Sequence, residues 1–312
     1  MKFGIHTGPQ HVSFEDLVRA WRIADENPFE WCSVWDHFYP AASDVRGPCL
    51  EAVSIMTALA CHTKRVRVGC LVYCVPYRHP AVLAKAAATI DHVSGGRLEL
   101  GLGCGWHQVE ADAYGIPFGT VRERLDQLEE GVKIIRSLFE NETTTFEGKH
   151  YRVVDARFEP KPLQKRPRFW IGGMGEKRLL RIVAQYADAW NTPFIPPDLY
   201  AWKNKVLSEW CEKLGRDPRT VLRTVNVGLS MAANEEKAKA KRNELAQAFG
   251  DFFPAVEPGI LMGTPEQVID RIGEYREAGA EWIIFALRAP FDWESLEVVI
   301  DRVMPAFGAV RS

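Results

Sequence analysis

Short apolar, β-branched runs alternate along the chain with longer stretches whose apolar positions recur every three or four residues. Residues 3–6 read as a first strand. The helix after it carries Phe14, Leu17, Val18, Trp21 and Ala24 on one face, with Ser13 placed as its N-cap. A second strand at 33–35 runs straight into Asp36-His37-Phe38-Tyr39-Pro40, and a helix over 51–62 follows. Residues 66–75 form a continuous apolar run, suited to a strand buried on both faces of a parallel sheet, which Pro76 ends. A helix over 81–91 stops at Ser94-Gly95-Gly96. The next strand, 98–102, ends in Gly103-Cys104-Gly105-Trp106, a loop thin enough to bring backbone amides against a ligand.

Beyond the breaks at Gly115, Pro117 and Gly119, the spacing of Val121, Leu125, Leu128, Val132, Ile135 and Leu138 predicts a long helix laid on a sheet. Residues 142–168 change character and read as an excursion outside the barrel with a hairpin. The sheet resumes at 169–171, and Gly172-Gly173-Met174-Gly175 opens a helix over 176–187. A short strand at 189–190 is followed by Asn191 and Thr192. Leu199, Trp202, Val206, Trp210 and Leu214 mark another helix face. Residues 225–231 predict a strand, 235–249 an exposed charged helix, and 250–263 a second excursion suited to a mobile lid. Thr264 with Gln267 gives a capping box at the next helix. A last strand at 282–287 precedes a helix facing inward through Leu296, Val299, Ile300 and Val303. Eight strands alternating with helices predict an α/β fold, a (β/α)8 TIM barrel as one domain over 1–312. An open doubly wound sheet is the alternative, but no GxGxxG follows the first strand.

Composition narrows the partners. The chain has 312 residues, 46% hydrophobic and 26% charged, with a formal net charge of −2. It therefore lacks the global basic field that favours nucleic acid or anionic membrane. No stretch approaches the roughly 18 apolar residues of a spanning helix, and the N-terminus lacks a signal-peptide core, so a cytoplasmic protein is expected. Seven cysteines without a CxxC pair, and histidines without HExxH spacing, predict neither a disulfide framework nor a metal.

Chemistry belongs at the carboxyl ends of the strands. Asp36 and His37 sit at such an end, where a histidine can give or take a proton near neutral pH; a capping Asp and a packed His fit the same position. Gly172-Gly173-Met174-Gly175-Glu176 is a glycine turn into a helix N-terminus, able to bind an anion or to serve as a plain connection. Glu110 is a candidate acid in this region, but its position reads rather as a plain helix-surface residue. No GxSxG elbow points to hydrolysis.

The segment RHPAVLAKAAATIDHVSGGRLELGLGCGW, with FGIHTG at the start and GTPEQV near the end, resembles the luciferase-like monooxygenase superfamily over nearly the whole chain. Asp36-His37-Phe38 is most similar to its branch that uses the deazaflavin coenzyme F420. The resemblance implies a bacterial-luciferase-like barrel and an oxidoreductase that transfers a hydride between F420 and a small organic substrate. In it Asp36 and His37 contact the ring and His37 handles the proton. It further implies a cofactor site that includes Gly69, a bulge with a non-prolyl cis peptide at Leu71-Val72, Cys104, Gly105, Asn191 and the Gly172 to Glu176 turn as phosphate site. Phe38, Tyr39 and Trp106 are then expected to face the substrate. Trp106 stands where sugar-phosphate dehydrogenases of that branch carry a Glu, which argues for a more apolar pocket. An FMN-dependent monooxygenase is the alternative activity, a non-catalytic flavin-binding relative a third. Family members commonly form homodimers.

Overall fold

The computed structural model of the chain describes residues 1–41 and 45–310. Strand β1 (Lys2–Thr7) leads through α1 (Phe14–Glu26) to β2 (Trp31–Val34), then α2 (Ala52–His62) and β3 (Arg67–Cys70). The Ser13 hydroxyl accepts from the Asp16 amide and caps α1 as its sequence predicts. The apolar run at 66–75 is not one strand. It breaks at a cis Leu71–Val72 peptide and resumes as β4 (Tyr73–Cys74) before α3 (Pro80–Val93), whose last turn holds His92. Next come β5 (Leu98–Gly103), the short α4 (Gln108–Ala113), the long α5 (Val121–Glu140), and the hairpin β6 (Thr143–Glu147) with β7 (Arg152–Arg157), where an excursion is expected.

The second half runs β8 (Phe169–Gly172), α6 (Leu179–Tyr186), β9 (Ala189–Pro193), α7 (Pro197–Lys213), β10 (Leu222–Met231) and α8 (Glu235–Phe249). After α9 (Phe253–Val256), the excursion at 250–263 ends in a strand, β11 (Ile260–Gly263), paired parallel to β10. That end of the excursion is therefore tied to the sheet. A Thr264–Gln267 capping box starts α10 (Pro265–Glu277), followed by β12 (Trp282–Leu287), α11 (Trp293–Val298) and α12 (Met304–Ala306). Helix α6 begins three residues later than the sequence suggests, since the glycine turn extends to Arg178.

The ring closes as β1, β2, β3, β5, β8, β9, β10, β12 and back to β1, every pairing parallel. This is a (β/α)8 barrel, with β4 continuing β3 along β5. Its interior is filled. Trp31 and Trp170 stack at 4.6 Å, Trp282 packs edge-on to Trp170 at 5.8 Å, and Leu71, Ala189 and Ile284 complete the buried cluster. Glu99, 1% exposed, sits among them and accepts from the Trp170 indole, from Arg67, and from Arg168 at 3.2 Å. A carboxylate so deep persists only when paired and hydrogen-bonded. With this plug in place, ligands have room only at the mouth formed by the strands' carboxyl ends.

Candidate active site

Strand β2 delivers its exit loop into the mouth. Asp36, 3% exposed, accepts from the Cys74 amide at 2.9 Å and from Arg78 through two nitrogens at 2.5 and 2.9 Å. Arg78 also reaches Glu51 at 3.2 Å. Burial works against the Arg78 cation, yet the Asp36 bond and charge, with Glu51, push its pKa above the usual value. Asp36 thus stitches the β2 exit to the end of the β4 segment. Its carboxylate is taken by these neighbours.

His37 is the freer of the two. Its Nδ1 donates to Glu110 Oε1 at 2.5 Å. Glu110 is not on a helix surface, as its sequence position suggests, but fully buried, because α4 turns it back toward the barrel. Its other oxygen accepts from the Phe38 amide at 2.6 Å and the Tyr39 amide at 2.9 Å, and the Tyr77 hydroxyl donates to Oε1. Burial raises the Glu110 pKa, but His37, Tyr77 and the Tyr39 amide outweigh it and hold the carboxyl at about 2. The carboxylate therefore stays ionised, fixes a proton on Nδ1, and leaves Nε2 as the nitrogen that can exchange a proton. A carboxylate–imidazole pair of this kind suits proton transfer.

On the neighbouring strand end lies the bulge, whose Leu71 amide donates to the Val34 carbonyl at 2.9 Å. Leu71 points into the tryptophan cluster, whereas Val72 leans over β5 and β8. Side chains at Gly101, Gly103 and Gly172 would strike Cys70 O at 2.0 Å, Val72 Cγ2 at 2.4 Å and Val72 Cγ1 at 2.9 Å respectively. The missing side chains let the bulge settle onto its neighbours. Gly105, at φ 71°, would strike Cys74 Sγ at 2.5 Å, so the Cys104-Gly105 turn is also tight. Gly69 is buried lower down, its free side filled by the Trp31 ring at 2.2 Å.

At the opposite rim, Gly172 to Glu176 forms the expected turn. Its Gly173 carbonyl accepts from the Trp190 indole at 2.8 Å, and Trp190 stacks on Tyr200 at 5.3 Å, so this Trp is core and brace together. Met174 and Gly175 are exposed. No side chain caps α6, and its Leu180 amide already donates to the Gly175 carbonyl at 3.0 Å. The Glu176 carboxylate is taken by Lys203 at 2.5 Å and Trp202 at 3.1 Å, and Arg178 turns away to Asp126 at 2.6 Å. Asn191, 3% exposed, donates to Thr224 at 2.9 Å and Asn226 at 3.2 Å across β9 and β10.

Aromatic rings line the His37 side. Phe38 stacks on Tyr114 at 4.6 Å with Tyr77 at 4.9 Å, and Tyr39 meets Tyr114 edge-on at 5.7 Å. Trp106 is 58% exposed and stands edge-on to His37 at 5.4 Å. Sequence reasoning set Glu110 aside as a helix-surface residue and missed Tyr77 and His107, whose Nδ1 lies 3.4 Å from Glu110. His37, His107 and Glu110 each bring a ligand atom within 4.8 Å of the others, a convergence invisible to motif spacing; both Glu110 oxygens already accept protein donors. The buried His6 bonds Ser33 at 2.8 Å, and burial, then Arg288 and His37, depress its pKa to about 3, so it is a neutral structural group.

Comparison with known proteins places the chain in a family and a fold. Residues 1–259 match the family described as luciferase-like monooxygenase. The chain is 28% identical to an F420-dependent glucose-6-phosphate dehydrogenase of Amycolatopsis mediterranei, covering 91% of this chain and 92% of that one. A protein of the same name from Kineococcus radiotolerans is 34% identical over 221 residues, 68% of this chain and 62% of the other. Among solved structures, an F420-dependent secondary alcohol dehydrogenase in complex with an F420-acetone adduct superposes with a TM-score of 0.87 at 21% identity, covering 98% of each chain. With the barrel, the bulge and the family match in agreement, the chain belongs to the luciferase-like monooxygenase family.

Proposed function

We propose that the protein is a coenzyme F420-dependent oxidoreductase acting on a small organic substrate. The observation that carries this reading is the His37–Glu110 pair at the exit of β2, the strand next to the one that carries the Leu71–Val72 bulge. The names of the relatives from Amycolatopsis mediterranei and Kineococcus radiotolerans support the choice of coenzyme. When bound, the deazaflavin supplies the hydride chemistry. The residues present fit such a group: a bulge bedded on glycines as a platform, the glycine turn with its exposed Met174 and Gly175 ahead of α6 for a phosphate, and Thr192 Oγ1, buried without a partner at the end of β9. In this reading Leu71, Val72, Cys104 and Gly105 back the ring, with Asn191 near it, and Gly172 to Glu176 hold the phosphate through the backbone. Gly69 acts indirectly, by letting Trp31 seat beneath the bulge. Asp36 positions the loop, and His37 exchanges the substrate's proton through Nε2 while Glu110 keeps its tautomer. Phe38, Tyr39 and Trp106 face the substrate with apolar surface.

The test is a side-by-side fluorescence titration of the purified protein with F420 and with FMN. Selective F420 binding, followed by reduction or oxidation of the coenzyme that fails in His37→Ala, supports the proposal. Selective FMN binding, with oxygen uptake driven by reduced FMN, overturns it in favour of a monooxygenase.

A further inference from the structure

One half-buried cation at the mouth is used by nothing described so far. Arg288 follows directly after β12. Its guanidinium sits over Trp35 at 5.5 Å, Phe194 at 5.7 Å and Phe249 at 5.5 Å, side chains brought by the β2, β9 and α8 ends of the barrel. β2 and β9 lie on opposite sides of the ring, so the group spans the mouth. Among the described residues its one hydrogen bond is long, Nη1 to the Ala41 carbonyl at 3.3 Å, and Nε is buried with no partner there. Among the described residues no carboxylate pairs with it.

Arg124 also leaves its Nε without a partner, though its Nη1 meets the Gly119 carbonyl at 2.8 Å, and three further low-lying arginines show what is missing at Arg288. Arg78 is held by Asp36 and Glu51, Arg67 by Glu99, and Arg97 by the Val66, Ala60 and Thr63 carbonyls at 2.8, 2.9 and 2.8 Å. A guanidinium out of water is costly unless an anion or several acceptors meet it. Rings on its faces offset part of that cost and leave its edge, the side that binds two oxygens at once, unoccupied. Burial without an offsetting anion also lowers its pKa.

We propose that Arg288 is the substrate's anchoring site and that the substrate carries a carboxylate, which takes the free edge of the guanidinium while the reacting carbon faces His37. A single planar monoanion matches one planar cation in charge and shape. A phosphate dianion would need a second cation, and Arg78 is already neutralised by Asp36 and Glu51. The site lies three strands around the ring from the β8 turn assigned to the coenzyme phosphate, so the two anions do not compete. The inference rests on the oxidoreductase reading for its substrate role, but binding can be read without it.

The experiment is calorimetric titration with benzoate, its neutral counterpart benzamide and phenyl phosphate, on the protein alone and after loading with F420. Benzoate should bind at least about tenfold tighter than benzamide, and Arg288→Gln should weaken benzoate about 30-fold or more while leaving benzamide and F420 within about twofold. Arg288→Lys keeps the charge and the aromatic packing but not the fork, and should fall between, which covers a poorly folded Gln variant. No benzoate binding, benzamide binding as tight as benzoate, or indifference to both substitutions would overturn the site. Tighter binding of phenyl phosphate would overturn the carboxylate assignment, and loss of F420 binding would return Arg288 to the coenzyme. If F420 fails to bind the wild type while Arg288-dependent benzoate binding persists, the coenzyme reading falls and this one stands.

Discussion

Replacing Glu110 by Gln tests the centre of the site without any substrate. The carboxylate accepts from two backbone amides, Tyr77 and His37, and its pKa is held at about 2 against an ordinary 4.5. That gap corresponds to roughly 3 kcal/mol of stability at neutral pH. A depressed folded-state pKa contributes fully above the unfolded value, so this part is present above pH 4.5 and is lost as the pH falls toward about 2. Gln retains an oxygen for the backbone amides but offers a donor or a neutral acceptor to His37. The melting temperature at pH 7 should therefore drop by about 6 °C, taking roughly 2 °C per kcal/mol for a chain of this size. Thermal melts of both proteins from pH 7 downward should show the deficit narrowing below pH 4.5. In the same variant the His37 ring loses its enforced tautomer, and coenzyme turnover should fall about 100-fold with coenzyme affinity kept. A melting temperature unchanged at pH 7, or a deficit that does not narrow in acid, would refute the account of Glu110 as a charged clamp.

Further expectations follow from single contacts. His37→Ala should abolish most turnover and leave the F420 fluorescence titration within a few-fold, because the ring is partly exposed and bonded only through Glu110. Gly103→Ala forces a methyl to within 2.4 Å of Val72 and should cost about 1–3 kcal/mol in denaturant melts while disturbing coenzyme binding through the bulge. Tyr77→Phe removes one donor from Glu110 and should lower stability by about 1–2 kcal/mol, with a smaller loss of turnover than Glu110→Gln. His6, neutral in the fold with a pKa near 3 against 6.5, penalises the folded state as the pH falls through that window, because only the unfolded chain takes the proton. His6→Asn, able to keep the Ser33 bond, should flatten the pH dependence of melting between those values.

Much of the barrel is written locally. Alternating apolar runs and helical faces place all eight ring strands, and Thr264-Pro265-Glu266-Gln267 announces the capping box later found there. The strand interruption at Leu71–Val72 is not legible from hydrophobicity, since 66–75 is apolar throughout; only the likeness to a family pointed to it. Glu110 escaped for a different reason. Its partner His37 is 73 residues away, and α4 is too short to display a periodicity that would mark an inward face. The same holds for Arg288, whose isolation is a property of what surrounds it in space.

The plug of Trp31, Trp170, Trp282 and Glu99 has a kinetic consequence. A barrel sealed from below has a single door, so two ligands that share it must queue. On the proposed assignments, a coenzyme seated on the bulge would enter first and leave last, and a carboxylate held at Arg288 would come and go over it. Product inhibition should then follow an ordered pattern, uncompetitive or mixed for one ligand and competitive for the other, with the sequence of arrival set by depth.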